Sequence, residues 1–320
     1  MLRFIIIMIA VALLPVSSSV ISAQGSSTYQ TLPDLSGIAW IGNDSFLAIH
    51  DAKFPEEASA PRANLLTLPS EHGGTVVTPL NVTWPSGENP GSDLGCVARI
   101  PETTHFLLGE SGDNDRGSKR IFLADLNNDT LLVNDTVAWP IEIHNVEGCA
   151  VTAIDDELVF IFAERAQGSP TTDINWGALQ LDPLRFGPVK SVEFRAPIEE
   201  EPAVDPGFRP VSALEFDQDG NLFISSAIDP DIDKGPFWSQ VWLAGHIESD
   251  QALGPQISLF DPPERVASVD GLKVEGLATR PAVNDSGTEV IIGTDDEFHG
   301  GVLRVLHKAA IGNTSGLANQ

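Results

Sequence analysis

An all-β chain folded as a five-bladed β-propeller is predicted by three observations on the sequence. A short motif recurs five times at spacings of 53 to 65 residues, about the length of one four-stranded blade. Each copy is followed by apolar runs of strand length, and helical periodicity is absent after the N-terminal segment. A six-bladed ring is the alternative. It needs a further blade within Ala196–Pro210, a Pro- and Glu-rich stretch that reads as a loop.

The motif opens as Asp34-Leu-Ser-Gly37-Ile-Ala-Trp40 and returns as Asp93-Leu-Gly95-Cys-Val-Ala98, Val146-Glu-Gly148-Cys-Ala-Val151, Val211-Ser-Ala213-Leu-Glu-Phe216 and Val274-Glu-Gly276-Leu-Ala278. Second strands are expected at Phe46–His50, Phe106–Gly109, Leu158–Phe162, Leu222–Ser225 and Val290–Gly293. In the fourth copy the intervening Asp217-Gln-Asp-Gly220-Asn221 is hairpin chemistry. Third strands are expected at Leu65–Leu68, Ile121–Leu126, Ala178–Leu181, Val241–Ala244 and Val302–Leu306. Fourth strands are expected at Thr75–Trp84, Leu131–Trp139, Val189–Phe194 and Ile257–Phe260. The fifth repeat lacks a fourth strand, and Tyr29–Leu32, ahead of the first motif, is expected to supply it and close the ring.

Residues 1–23 read as a signal peptide: Arg3, an apolar run from Phe4 to Leu14, Pro15, and small residues ending at Ala23. Residues 24–320 then form one domain in a secreted or periplasmic protein that has no membrane association after cleavage. With 45 acidic against 18 basic residues, net −27, the chain disfavours nucleic acid and anionic membranes as partners. The charge serves solubility, cation binding or both. A small-molecule ligand is the expected partner and a monomer the expected state. Export permits an intrachain disulfide between the two cysteines, Cys96 and Cys149, on neighbouring inner strands.

In an antiparallel hairpin the start of one strand lies beside the end of the next. The acids Asp34, Asp93, Glu147 and Glu275 open first strands, and Asp51, Glu110, Glu164, Asp295 and Asp296 end second strands or follow them. Both sets therefore emerge at one mouth of the central channel. Converging carboxylates repel unless protonated or joined by a cation, and calcium takes six to eight oxygen ligands. The alternative is a water-filled acidic funnel. Asp229, Asp231 and Asp233, alternating in Asp229-Pro-Asp231-Ile-Asp233-Lys-Gly235, form a second calcium-loop candidate, with the glycine one place late. His50 beside Asp51 is a candidate base, and Arg165 either holds an anionic group or neutralises its acidic neighbours. Gly109-Glu-Ser111-Gly112 departs from a nucleophile elbow, since Asp113 stands in place of the second glycine.

The segments Lys273-Val-Glu-Gly-Leu-Ala278 and Ile292-Gly-Thr-Asp-Asp-Glu297, with Leu35-Ser-Gly-Ile-Ala39 and Ala48-Ile-His-Asp51, resemble the secreted propellers of the SdiA-regulated and esterase-like phytase groups. They are more distantly similar to gluconolactonase-type propellers. That resemblance implies that a Glu-Gly pair opens an inner strand and its glutamate binds a divalent metal, here Glu147 or Glu275. Two departures stand against it: Ser212-Ala213 replaces Glu-Gly in the fourth repeat, and no basic cluster for phytate is present. The expectation is a calcium-binding hydrolase of a small phosphoester or lactone, or alternatively a non-catalytic binding propeller with structural ions.

Overall fold

The computed structural model describes residues 32–52, 61–69, 74–112, 119–165, 168–197, 210–229, 235–282, 287–296 and 300–306. These form five sheets, antiparallel but for one parallel edge strand, and no helix occurs among them. Blade 1 is β1 (Gly37–Gly42), β2 (Ser45–Ile49), β3 (Ala63–Thr67) and β4 (Val76–Pro79). β5 (Asn81–Thr83) leaves that blade and pairs in parallel with the outer edge of blade 2. The rest of blade 2 is β6 (Leu94–Arg99), β7 (His105–Glu110), β8 (Arg120–Asn127) and β9 (Thr130–Ala138). Blade 3 comprises β10 (Val146–Ile154), β11 (Glu157–Glu164) and β12 (Thr172–Leu181). Its outer strand is in two pieces, β13 (Leu184–Phe186) and β14 (Lys190–Phe194). Blade 4 is β15 (Val211–Phe216), β16 (Asn221–Ile228), β17 (Trp238–Asp250) and β18 (Gly254–Asp270). Blade 5 is β19 (Val274–Pro281), β20 (Thr288–Thr294) and β21 (Leu303–Val305).

The predicted strands are present in the predicted order. The predicted fourth strand Thr75–Trp84 is shared between two blades, because the chain passes at Leu80 from β4 in blade 1 to β5 in blade 2. In blade 4 the outer hairpin extends well beyond the expected Ile257–Phe260.

Alternating side chains of each inner blade face opposite neighbours, so the core is divided into five apolar layers, one between each pair of adjacent blades. Ala39, Leu47 and Ile49 meet Val97, Phe106 and Leu108 between blades 1 and 2. The ring closes where Ala278, Ile291 and Leu303 of blade 5 meet Leu35, Ile38 and Phe46 of blade 1. Fully buried Phe46, Phe106, Phe160, Phe162 and Phe223 each contribute roughly 2–3 kcal/mol of transfer free energy. Leu32 forms a β-bridge with Gly301, whose N–H donates to its carbonyl at 3.0 Å, so the N-terminal segment reaches the edge of the last blade as expected. A side chain at Gly301 would lie 2.6 Å from the carbonyl oxygens of Pro33 and Thr294, which is why glycine stands at the seam. Tyr29–Thr31 lie outside the described residues.

Four inner strands carry a register shift at the same place: between Leu94 and Cys96, Val146 and Gly148, Val211 and Ala213, and Val274 and Gly276. The residue in each bulge is Gly95, Glu147, Ser212 or Glu275, and Ser36 precedes the paired Gly37 in blade 1. This register corrects the sequence alignment of blade 2 by one residue: Cys96, not Gly95, is the equivalent of Gly148. The offset explains the disulfide. Residues at matching positions would face the same way round the ring, whereas Cys96 and Cys149 are one step out of register and face each other across the layer between blades 2 and 3. Their Cα atoms are 5.6 Å apart and the bond is formed.

Candidate functional site at the channel mouth

The repeat places three rows of side chains around one end of the channel. The first row is the bulge position: Ser36, Gly95, Glu147, Ser212 and Glu275. A bulge turns its extra residue out of the alternating pattern, so these side chains leave the inter-blade layers. The second row lies two residues earlier and includes Asp93 and Lys273. The third follows the second strand of each blade and contains Asp51, Ser111, Arg165 and Asp295. Ten of these residues line a cavity of about 40 Å³, room for about two or three waters. Gly95 is small because a Cβ there would meet the carbonyl oxygen of Val146 at 2.5 Å and Ser111 Cβ at 2.7 Å.

Arg165 and Lys273 stand among the carboxylates. Arg165 Nη2 lies 3.0 Å from Glu275 Oε1 and 3.6 Å from Asp229 Oδ2, and Nη1 lies 3.6 Å from Glu147 Oε1. Lys273 Nζ lies 3.0 Å from Glu275 Oε1, 3.2 Å from Asp229 Oδ2 and 4.0 Å from Asp295 Oδ2. Burial alone would lower the pKa of both cations, but the surrounding carboxylates outweigh it and raise both. Burial would raise the carboxyl of Glu275. Lys273 and Arg165 overcome it and hold Glu275 below the usual carboxylate range. Glu147 and Glu275, to which the resemblance gives a metal, are thus charge-compensated by two side chains of the chain itself.

Five lining carboxylates, Asp51, Asp93, Glu147, Glu275 and Asp295, share the cavity with these two cations. Asp93 Oδ2 accepts the Ser111 hydroxyl at 2.5 Å, and Asp51 Oδ1 accepts the N–H of Ala52 at 2.6 Å. The donors on the side of blades 1 and 2, from Ser36, Asp51, Asp93 and Ser111, are all oxygen and suit a hard cation. Among the described residues, no three His, Cys, Asp or Glu side chains converge as a ready metal centre. A calcium ion there would therefore depend on hydroxyls, backbone carbonyls and water as well as on the two aspartates.

Other predicted residues lie elsewhere. His50 is buried and turned from the cavity. Its Nδ1 is 2.6 Å from the Asp34 carbonyl and its Nε2 2.6 Å from the Asn64 amide nitrogen, so both ring nitrogens are engaged. Burial lowers its pKa and disfavours the imidazolium form. Glu110 accepts from Arg120 Nη2 at 2.7 Å and Nε at 2.9 Å, tying β7 to β8 outside the cavity. Burial raises its pKa and the Arg120 bonds oppose that rise. Glu164 accepts the N–H of His144 at 2.8 Å. Asp296 holds the Lys273 N–H at 2.9 Å and the Thr294 hydroxyl at 2.6 Å, and burial raises its pKa. Asp229 joins the cation pair, while Asp231 and Asp233 lie outside the described residues. Lys273 is the site residue that sequence reasoning missed. Its signal was positional: it precedes Glu275 by two residues, as Asp93 precedes Gly95.

No protein-family model matches the chain, and no curated protein sequence matches it. Among solved structures the chain is similar to an endo-arabinase from Bacteroides thetaiotaomicron, at 10% identity and a TM-score of 0.53, over 89% of this chain and 97% of that one. It is also similar to an α-L-arabinofuranosidase from Clostridium thermocellum, at 13% identity, 80% and 81% coverage and a TM-score of 0.43. A putative glucose dehydrogenase from Thermus thermophilus follows, at 12% identity, 86% and 97% coverage and a TM-score of 0.39. The arabinase likeness shows the five-bladed propeller fold. It does not extend to the SdiA-regulated or phytase groups that the sequence resembles.

Proposed function

We propose that the protein is a secreted hydrolase that admits the scissile group of a small substrate, a phosphoester or a lactone, end-on into the mouth cavity. One observation carries this reading: four of the five blades contribute charged groups to one narrow, solvent-reached cavity, and Asp229 of blade 4 pairs with the two cations that line it. A cavity of this size accepts a phosphoryl or carbonyl group but not a whole substrate. Arg165 and Lys273, held rigid by their carboxylates, supply positive charge where an oxyanion develops. Asp51 or Asp93, both lining the cavity, would take the proton of an attacking water. Asp51, Asp93, Ser36 and Ser111 would hold calcium, which when bound adds Lewis-acid polarisation of the scissile oxygen.

The second reading is a binding propeller whose charged mouth is structural. It is favoured by the saturation of Arg165 and Lys273 with carboxylates. Isosteric variants separate the two. Asp51→Asn and Asp93→Asn are tested for turnover of nitrophenyl phosphates and a lactone panel, beside thermal unfolding. Hydrolysis lost by about 10²-fold or more, with Tm changed by only a few degrees, supports the enzyme. Absence of wild-type turnover across the panel, with calcium and with chelator, supports the binding module.

A further inference from the structure

The opposite end of the channel opens into a larger cavity of about 710 Å³, bounded by the far ends of the inner strands and the turns that follow them. Its polar chemistry is concentrated in two residues. The first is Glu215. Two residues beyond the bulge-facing small residue, the other four blades carry Ala39, Ala98, Ala150 and Ala278, each fully buried. Blade 4 alone places a carboxyl at this position. Glu215 Oε1 accepts the N–H of Phe216 at 2.8 Å, and among the described residues Oε2 takes no hydrogen bond. Burial, with a further push from Asp217, raises the acid to about 8 against the Phe216 N–H, so it keeps its proton to a higher pH than an ordinary carboxyl and in that form offers an O–H donor.

The second is Arg99. Its Nη1 donates to the Trp40 carbonyl and its Nε to the Thr103 carbonyl, both at 3.1 Å. Among the described residues it meets carbonyls and no carboxylate at ion-pair distance. The other charged groups around the cavity are already engaged or lie at its rim. Asp217 accepts from the N–H groups of Asp219 and Asn221, the Asn221 amide and the Thr288 hydroxyl. Arg280 is bound by Asp44 and Glu289. Glu102 and Asp156 are exposed at the rim, where solvent screens them. The capacity left over is therefore that of hydrogen-bond donors, beside an apolar wall that includes Trp40 and Phe216.

We propose that this lower cavity binds a small amphipathic carboxylate, whose charged end is taken by Arg99 and Glu215 and whose apolar body lies on Trp40 and Phe216. A carboxylate supplies acceptors for the Glu215 O–H and for the Arg99 N–H groups that the Trp40 and Thr103 carbonyls do not use, and an aromatic or alkyl body suits the wall. The site does not depend on the chemistry of the upper mouth.

The test is calorimetric titration of the full chain with 3-phenylpropionate and with its uncharged amide. At about pH 6.5 the carboxylate binds at least about ten-fold more tightly than the amide, and Arg99→Gln removes that advantage. Wild-type affinity for the carboxylate falls about ten-fold as pH rises through 8, because ionised Glu215 loses its proton and repels the ligand. Glu215→Gln keeps a donor and abolishes that fall. Should Arg99→Gln not fold, the wild-type and Glu215→Gln pH profiles decide alone. Equal binding of acid and amide, no binding of either, or a wild-type affinity that is flat across this pH range would overturn the assignment.

Discussion

Buried charge in this protein has one legible cause and one hidden one. The acids of the mouth were readable because they recur at repeat positions. The cations that balance them were not, since Lys273 and Arg165 each occur in one blade only and share partners because blades 3, 4 and 5 meet at the channel mouth. His50 misled for a related reason. Its neighbour Asp51 faces the cavity, and strand alternation sends the imidazole the other way, to the Asp34 carbonyl and Asn64. Glu275 has two cations at 3.0 Å, so Glu275→Gln leaves both short of charge in a buried setting. The loss is about 3 kcal/mol at neutral pH. Its sign with pH follows from the lowered pKa of Glu275. That contribution is complete above the ordinary carboxylate range and disappears as pH falls through the folded-state value. Denaturant unfolding of wild type and Glu275→Gln should therefore differ at pH 7 and converge in acid. A constant difference down to about pH 2 would remove the ion pairs from the account.

At the level of strands and turns, the order of elements was written in the spacing of the apolar runs. The Asp217–Asn221 turn folds as its composition requires, with Asp217 Oδ1 collecting the N–H groups of Asp219 and Asn221. What the pattern could not convey was the bulge. Gly95 looks like the small residue of the other motifs, yet it occupies the bulge where Glu147 and Glu275 stand, and only hydrogen-bond register distinguishes the two. The same one-residue offset makes the disulfide possible, so the bond is a property of the bulged strand. Cys96→Ser or reduction releases a loop of 53 residues and should lower stability by about 4 kcal/mol on the chain-entropy account. Chemical denaturation with and without reductant measures it. A loss below about 1 kcal/mol would mean that the inter-blade layer already restrains this segment in the unfolded chain.

For the molecule as a whole, a net charge of −27 concentrates repulsion on a compact ring, and among the described residues that line its mouth five carboxylates meet two cations. Thermal unfolding in chelator and then with calcium, magnesium or manganese reads whether a cation joins them. A ligand of the folded state raises Tm by mass action. A millimolar calcium effect of several degrees, exceeding that of magnesium and lost in Asp51→Asn, is the expected result. Equal small shifts with every divalent ion would mean surface screening alone. Among the described residues no helix is long and apolar enough to cross a membrane, and the one disulfide suits the export expected from the N-terminal segment.

The seam between Leu32 and Gly301 has a mechanical consequence. The ring behaves as a bracelet whose clasp is a β-bridge and a few neighbouring hydrogen bonds, such as Leu35 N–H to the Thr294 carbonyl at 3.0 Å. Force applied at Leu32 and Val305 loads the clasp first, in a geometry where its bonds yield one after another. Blades 5 and 1 should peel away early. Extension would then stop short of the full contour by roughly 180 Å, the length sequestered between Cys96 and Cys149. Under tension the protein therefore has a fixed order of failure, set by a noncovalent clasp on one side of the ring and a covalent rivet between blades 2 and 3.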